Sequence, residues 1–147
     1  MTNGAPSILN SWLVNEKPRH FVLGHVMGPS ADIGWATDEE LAEKRVGRWE
    51  CDLVHNDSLT WTDEVYDLFG FPRDAQVARD DAVGRYCDQS RDILERIRSY
   101  AIGHCRSFVL DAEISPSIGM RQWIRIVASP VLSDHRVVRL QGLKLPL

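Results

Sequence analysis

The chain has 147 residues, 44% of them hydrophobic and 26% charged, which fits one soluble domain with its own core and excludes a disordered chain. Its net charge is −4 and no basic run interrupts it, so sequence-independent binding to nucleic acid has no electrostatic source. No apolar run reaches membrane length and no basic-then-apolar leader opens the chain, so the expected setting is the cytoplasm, without membrane or nucleic acid as partner. Cys51, Cys87 and Cys105 are odd in number and scattered. They argue against a disulfide framework and, with no histidine at ligand spacing, against a structural zinc site.

Residues 1–36 carry the weakest pattern. Ile8, Leu9, Trp12 and Leu13 share a helical face, and His20 to Met27 reads as a short strand or an irregular segment. Trp12 and Trp35 are costly to leave in water, so this extension either packs on the domain or serves as a partner or dimer surface. Thr37-Asp38-Glu39-Glu40 has the form of a capping box and predicts a helix from Asp38 to Arg45.

From Val46 the pattern sharpens. Val46 to Val54 alternates with a period of two, Asn56-Asp57-Ser58 is turn chemistry, and Leu59-Thr60-Trp61 is short and β-rich, which predicts a hairpin. Thr62 is placed to cap a helix carrying Val65, Tyr66 and Phe69, and Gly70 to end it. A short helix or turn follows at Pro72, then irregular turns with one short helix before Tyr86. Ile93, Leu94, Ile97, Tyr100 and Ala101 form one apolar stripe on a long helix from Asp88 to Gly103, with Asp88 or Ser90 as its cap. Three strands close the chain: Phe108 to Ile114, Arg121 to Ala128 and Val137 to Leu145, with turns at Ser115 to Gly119 and Ser133 to His135. Hairpins around a helical block give an α+β class.

The stretch Gly47-Arg48-Trp49-Glu50-Cys51-Asp52-Leu53, followed by Leu59-Thr60-Trp61-Thr62-Asp63-Glu64-Val65-Tyr66-Asp67-Leu68-Phe69-Gly70, resembles the opening of bacterial PAS domains. The resemblance continues through Phe108, Glu113, Gly119, Gln122-Trp123-Ile124, Pro130-Val131, Arg139 and Gly142. It implies a PAS domain over 46–147, preceded by an N-terminal extension with a capping helix over 1–45. The implied fold is a five-stranded antiparallel sheet with short helices and one long helix on one face. Two departures stand out: Cys87-Asp88-Gln89-Ser90 replaces the usual His-Pro-x-Asp, and Lys144-Leu145-Pro146-Leu147 replaces the closing Asp-Ile-Thr. With no kinase, cyclase or DNA-binding segment after Leu147, the expectation is that any signal is passed on by another chain, by dimer rearrangement, or not at all.

Beside that resemblance, His104-Cys105-Arg106 echoes a flavin motif at the wrong place. The resemblance places Cys87 near the chromophore cysteine of coumarate-binding relatives, and His104 just past the Gly103 stop of the long helix from which haem relatives take an axial ligand. Each has a plain alternative, a structural cysteine or a satisfied histidine. The cofactor is left unknown. No phosphate loop, metal cluster or nucleophile motif appears, so the chain is expected not to be an enzyme. A ligand cavity would be walled by Leu53, Tyr66, Phe69, Ile97, Phe108, Leu110, Ile124 and Leu140, residues that suit a filled core equally well. Trp12, Trp35, Trp123, Arg125 and Val127 are the interface candidates. The resulting expectation is a stand-alone sensory or interaction module of bacterial signalling, a homodimer, with a signalling protein such as a histidine kinase as the candidate partner. A ligand-free adaptor and a small cavity enzyme are the other readings.

Overall fold

The computed structural model describes residues 25–26 and 38–147. Trp12, Trp35 and Thr37 lie outside them. The elements are β1 (His25–Val26), α1 (Asp38–Glu43), β2 (Gly47–Asp52), β3 (Ser58–Trp61), α2 (Asp63–Phe69), α3 (Arg79–Val83), α4 (Asp88–His104), β4 (Phe108–Ile114), β5 (Gln122–Ser133) and β6 (Arg136–Pro146). The strands form one antiparallel sheet in the order β1-β4-β5-β6-β2-β3. Five of them are the expected PAS-like sheet, and β1 adds two residues at its edge.

Trp49 pairs with Trp61 and Cys51 with Leu59 across the first hairpin, so those side chains share one face. That face continues through Leu140, Ile124, Ile126, Phe108 and Leu110, and packs under α2 and α4 in a single buried cluster. Leu94, Ile97 and Ala101 of α4 supply the opposing stripe. Val109, Val127, Leu143 and Leu145 alternate onto the other face and are no more than 3% exposed, so both faces of the sheet are sequestered.

The helix ends differ from the sequence expectation in an instructive way. Thr62 stands at the start of α2 without capping it. Its hydroxyl instead accepts from the Arg48 backbone N–H at 3.0 Å, tying the helix start to β2. Ser90 accepts from the Glu113 N–H at 2.8 Å rather than capping α4, whose N-cap position is Cys87. The helix also passes Gly103 and ends at Cys105, which adopts a left-handed conformation at φ 55°. Gly70 does end α2, at φ 77°, and a Cβ there would fall 2.4 Å from the Pro116 carbonyl oxygen. β5 runs on through Pro130, beyond the last residue paired with β4, where a missing N–H costs no ladder bond on that side.

Candidate functional site

A cavity of about 50 Å³ lies between the inner sheet face, α3 and α4. Its floor is Trp49 and Cys51 of β2, Leu140 and Lys144 of β6, Phe108 of β4 and Ile126 of β5. Ala82, Tyr86 and Leu94 close it from above, while Leu59, Arg79, Val83 and Arg98 are half-buried and mark its solvent side.

Lys144 is the unusual member. It is 8% exposed, and its Nζ lies 4.8 Å from the Trp49 ring centroid, 4.9 Å from Phe69 and 5.9 Å from Trp61. These rings attract a cation through their quadrupoles. No hydrogen bond or ion pair joins the ammonium group to another described residue. Burial pushes Lys144 down to about 7, with the Arg79 charge adding to the fall and Cys51 opposing it. Nearby, the Tyr86 hydroxyl is buried without a partner, and burial pushes its pKa well up, so it stays a donor. Burial likewise raises the Cys51 thiol against the lowering effect of Arg98, whose guanidinium lies 3.9 Å from its sulfur.

The two arginines at the opening are turned outward to carboxylates. Arg79 pairs with Glu95, and Arg98 with Asp57 at 3.3 Å. Among the described residues, no carboxylate lines the cavity itself. Its polar character is therefore that of an excess cation and a free hydroxyl, set in an apolar wall of leucine, isoleucine and aromatic carbon. Such a site favours a small molecule bearing an acceptor or a negative charge.

Of the wall residues expected from sequence, Phe108 and Leu140 line this cavity. Phe69, Ile97, Leu110 and Ile124 are buried in the core outside its lining, and Leu53 and Tyr66 are half-buried against that core. Sequence reasoning passed over Lys144, Tyr86, Cys51, Arg79 and Arg98. Parity was the available signal, since Lys144 shares a face with Leu140 on any regular strand. Among the interface candidates, Trp123 is 43% exposed, but Arg125 and Val127 are 1% and 0%. Arg125 is held there by Asp111, its register partner, through two bonds of 2.7 and 2.8 Å. These two residues are already enclosed within one chain and offer no open surface to a partner.

The three residues weighed as cofactor attachment points stand apart from the cavity lining. His104 is exposed, stacked on Tyr100 with ring centroids 4.0 Å apart, its Nδ1 2.9 Å from the Tyr100 carbonyl. Cys87 lies at the start of α4 with Arg121 3.7 Å from its sulfur, and Cys105 at the end. A broader groove of about 310 Å³ runs along β2, β3 and β6, but its Thr62 hydroxyl is engaged and Glu50 approaches Arg139 at 3.9 Å.

The architecture matches solved structures of PAS sensors. The N-terminal domain of a diguanylate cyclase with a PAS/PAC sensor from Marinobacter aquaeolei superposes with a TM-score of 0.62 at 16% identity, covering 69% of this chain and 94% of that one. A domain of a putative light and redox sensing histidine kinase from Haloarcula marismortui gives 0.63 at 15%, covering 74% and 96%. An RNA-binding light-oxygen-voltage receptor gives 0.61 at 14%, covering 69% of this chain and only 29% of that one. No protein-family model and no curated protein matches the sequence. The chain has the PAS fold. Among the described residues, no helix is long and apolar enough to cross a membrane.

Proposed function

We propose that the chain is a non-catalytic, cytoplasmic sensory module of bacterial signal transduction, built as a PAS domain over 46–147 with an N-terminal extension over 1–45. Its signal is a small ligand held between the sheet and α4, passed to a partner such as a histidine kinase or to a second copy of the chain. The observation that carries this reading is the cavity lined by the Tyr86 hydroxyl, buried without a partner, and by Lys144, whose ammonium has no hydrogen bond or ion pair among the described residues. A cavity serving only as packing defect would be lined by apolar groups, because unpaired buried polar atoms are costly. PAS sensors of histidine kinases and cyclases among the structural neighbours support the setting. At about 50 Å³ the space suits a few heavy atoms and falls far below that of typical drug-sized pockets.

The test is native mass spectrometry of the full chain purified without additives, with thermal-shift screening against small metabolites. A retained small mass, or saturable stabilisation by one chemical class, is the expected result. No retained mass and no stabilisation by any compound would remove the ligand from this reading. The adaptor alternative draws on Ile118, Met120 and Trp123, large apolar residues exposed at and beside the β4–β5 turn. It predicts a dimer in light scattering that Trp123→Ser dissolves, with no small-molecule response.

A further inference from the structure

We propose that the cavity is a binding site for a short-chain monocarboxylate, with Lys144 Nζ as its counter-ion and the Tyr86 hydroxyl as a hydrogen-bond donor. This assignment rests on the sensory reading of the cavity and specifies its ligand. Three observations carry it.

The first is an unanswered charge. Lys144 is more than nine-tenths buried, its Nζ lies over ring faces, and it has no hydrogen bond or ion pair among the described residues. Ring quadrupoles offset part of the lost hydration of an ammonium group but accept none of its three N–H bonds strongly. The second is the composition of the lining. Lys144, Arg79 and Arg98 line the space and, among the described residues, no carboxylate does, while the carboxylates of Glu95 and Asp57 hold the arginines at the mouth. One cation is thus left over, which matches one negative charge rather than two. The third is size and wall chemistry. About 50 Å³ bounded by Leu94, Phe108 and Ile126 admits a carboxylate and a short alkyl tail. Tyr86 adds a donor with nothing else to bond.

The probe is sodium propionate, titrated into the full chain at pH 7 by calorimetry and thermal shift, with sodium chloride at equal ionic strength and propionamide as a neutral isostere. Wild type is compared with Lys144→Met, whose thioether chain suits the same aromatic surroundings, and with Tyr86→Phe. Propionate is expected to bind saturably and stabilise the wild type, to weaken at least tenfold in Lys144→Met and several-fold in Tyr86→Phe, and to exceed chloride and propionamide. Equal binding of propionate to wild type and Lys144→Met would overturn the assignment, as would an effect matched by chloride. Propionamide binding as well as propionate would also overturn it, yet would leave a ligand cavity in place. Failure of both compounds, together with an unresponsive metabolite screen, would remove the sensory reading as well.

Discussion

Lys144 makes stability depend on pH in a direction that can be worked out beforehand. An ordinary lysine titrates near 10.5, and this one is pushed down to about 7 by burial. Between those values the unfolded chain binds a proton that the folded chain does not, so stability rises with pH across that window. The contribution is fully present above the unfolded value and is lost as pH falls through about 7. At about 1.4 kcal/mol per pH unit, the full span amounts to about 5 kcal/mol. Other groups act with the opposite sign. Burial raises Cys51 and Tyr86, so their contributions are present at low pH and lost as pH rises through the alkaline range. Arg79 and Arg98 are the remaining charged groups lining the cavity, and both are paired with carboxylates. The informative quantity is therefore the difference between wild type and Lys144→Met, in urea unfolding at half-unit steps from pH 6.5 to 10. Lys144→Met is expected to exceed wild type by several kcal/mol at the acid end, and the gap to close toward pH 10. A constant gap, or an NMR titration placing Lys144 near 10.5, would refute the argument from burial.

Three further outcomes follow from packing and backbone geometry. Arg125→Ala leaves the Asp111 carboxylate buried without its partner and is expected to cost about 3–5 kcal/mol in denaturant unfolding, whereas replacing both by apolar residues of similar volume costs far less. Gly142→Ala would place a Cβ 1.7 Å from the Val127 carbonyl oxygen across the β5–β6 ladder, and is expected to lower the melting temperature sharply or abolish soluble expression. Cys105→Gly relieves a left-handed, non-glycine helix end and is expected to stabilise the chain by up to about 1 kcal/mol, read as a rise in the urea midpoint.

Much of the fold was legible because its signals are local. The period-two run around Trp49, the turn residues after it and the stripe from Ile93 to Ala101 fix a hairpin and a long helix without knowledge of the rest of the chain. The cavity was not legible for the same reason. The last strand carries apolar residues of both parities, Leu140 on one side and Leu143 and Leu145 on the other, so its pattern alone does not mark Lys144 as a core residue. Here both faces are sequestered, so the leucines are buried on the outer side and Lys144 points into the core. Arg125 lies on the outer face, opposite to Ile124 and Ile126, but is buried there rather than open to a partner. Its burial makes sense only once the register sets Asp111 opposite it, a non-local fact. Tyr86, on an irregular segment before α4, has no periodicity to place it at all.

Lys144 and Arg125 are both buried cations, yet the structure treats them differently. Arg125 is answered by a carboxylate in bidentate geometry, as a structural charge must be if it is to remain in a core. Lys144 is left against aromatic rings beside open space, in a cavity that the unpartnered Tyr86 hydroxyl also lines. A core optimised for stability alone would carry methionine or leucine there, and local conflicts of this kind concentrate where function resides. The location also gives the charge leverage over the sheet. Trp49, the nearest ring to Nζ, donates its indole N–H to the Leu143 carbonyl at 3.2 Å. Leu143 in turn pairs with Val127 of β5 and buries its side chain on the outer face. A ligand that draws the ammonium away from the Trp49 ring thus acts on a residue bonded directly to the backbone of β6, one residue from Lys144 itself. The physical link from cavity to outer sheet face is one side chain and one hydrogen bond long.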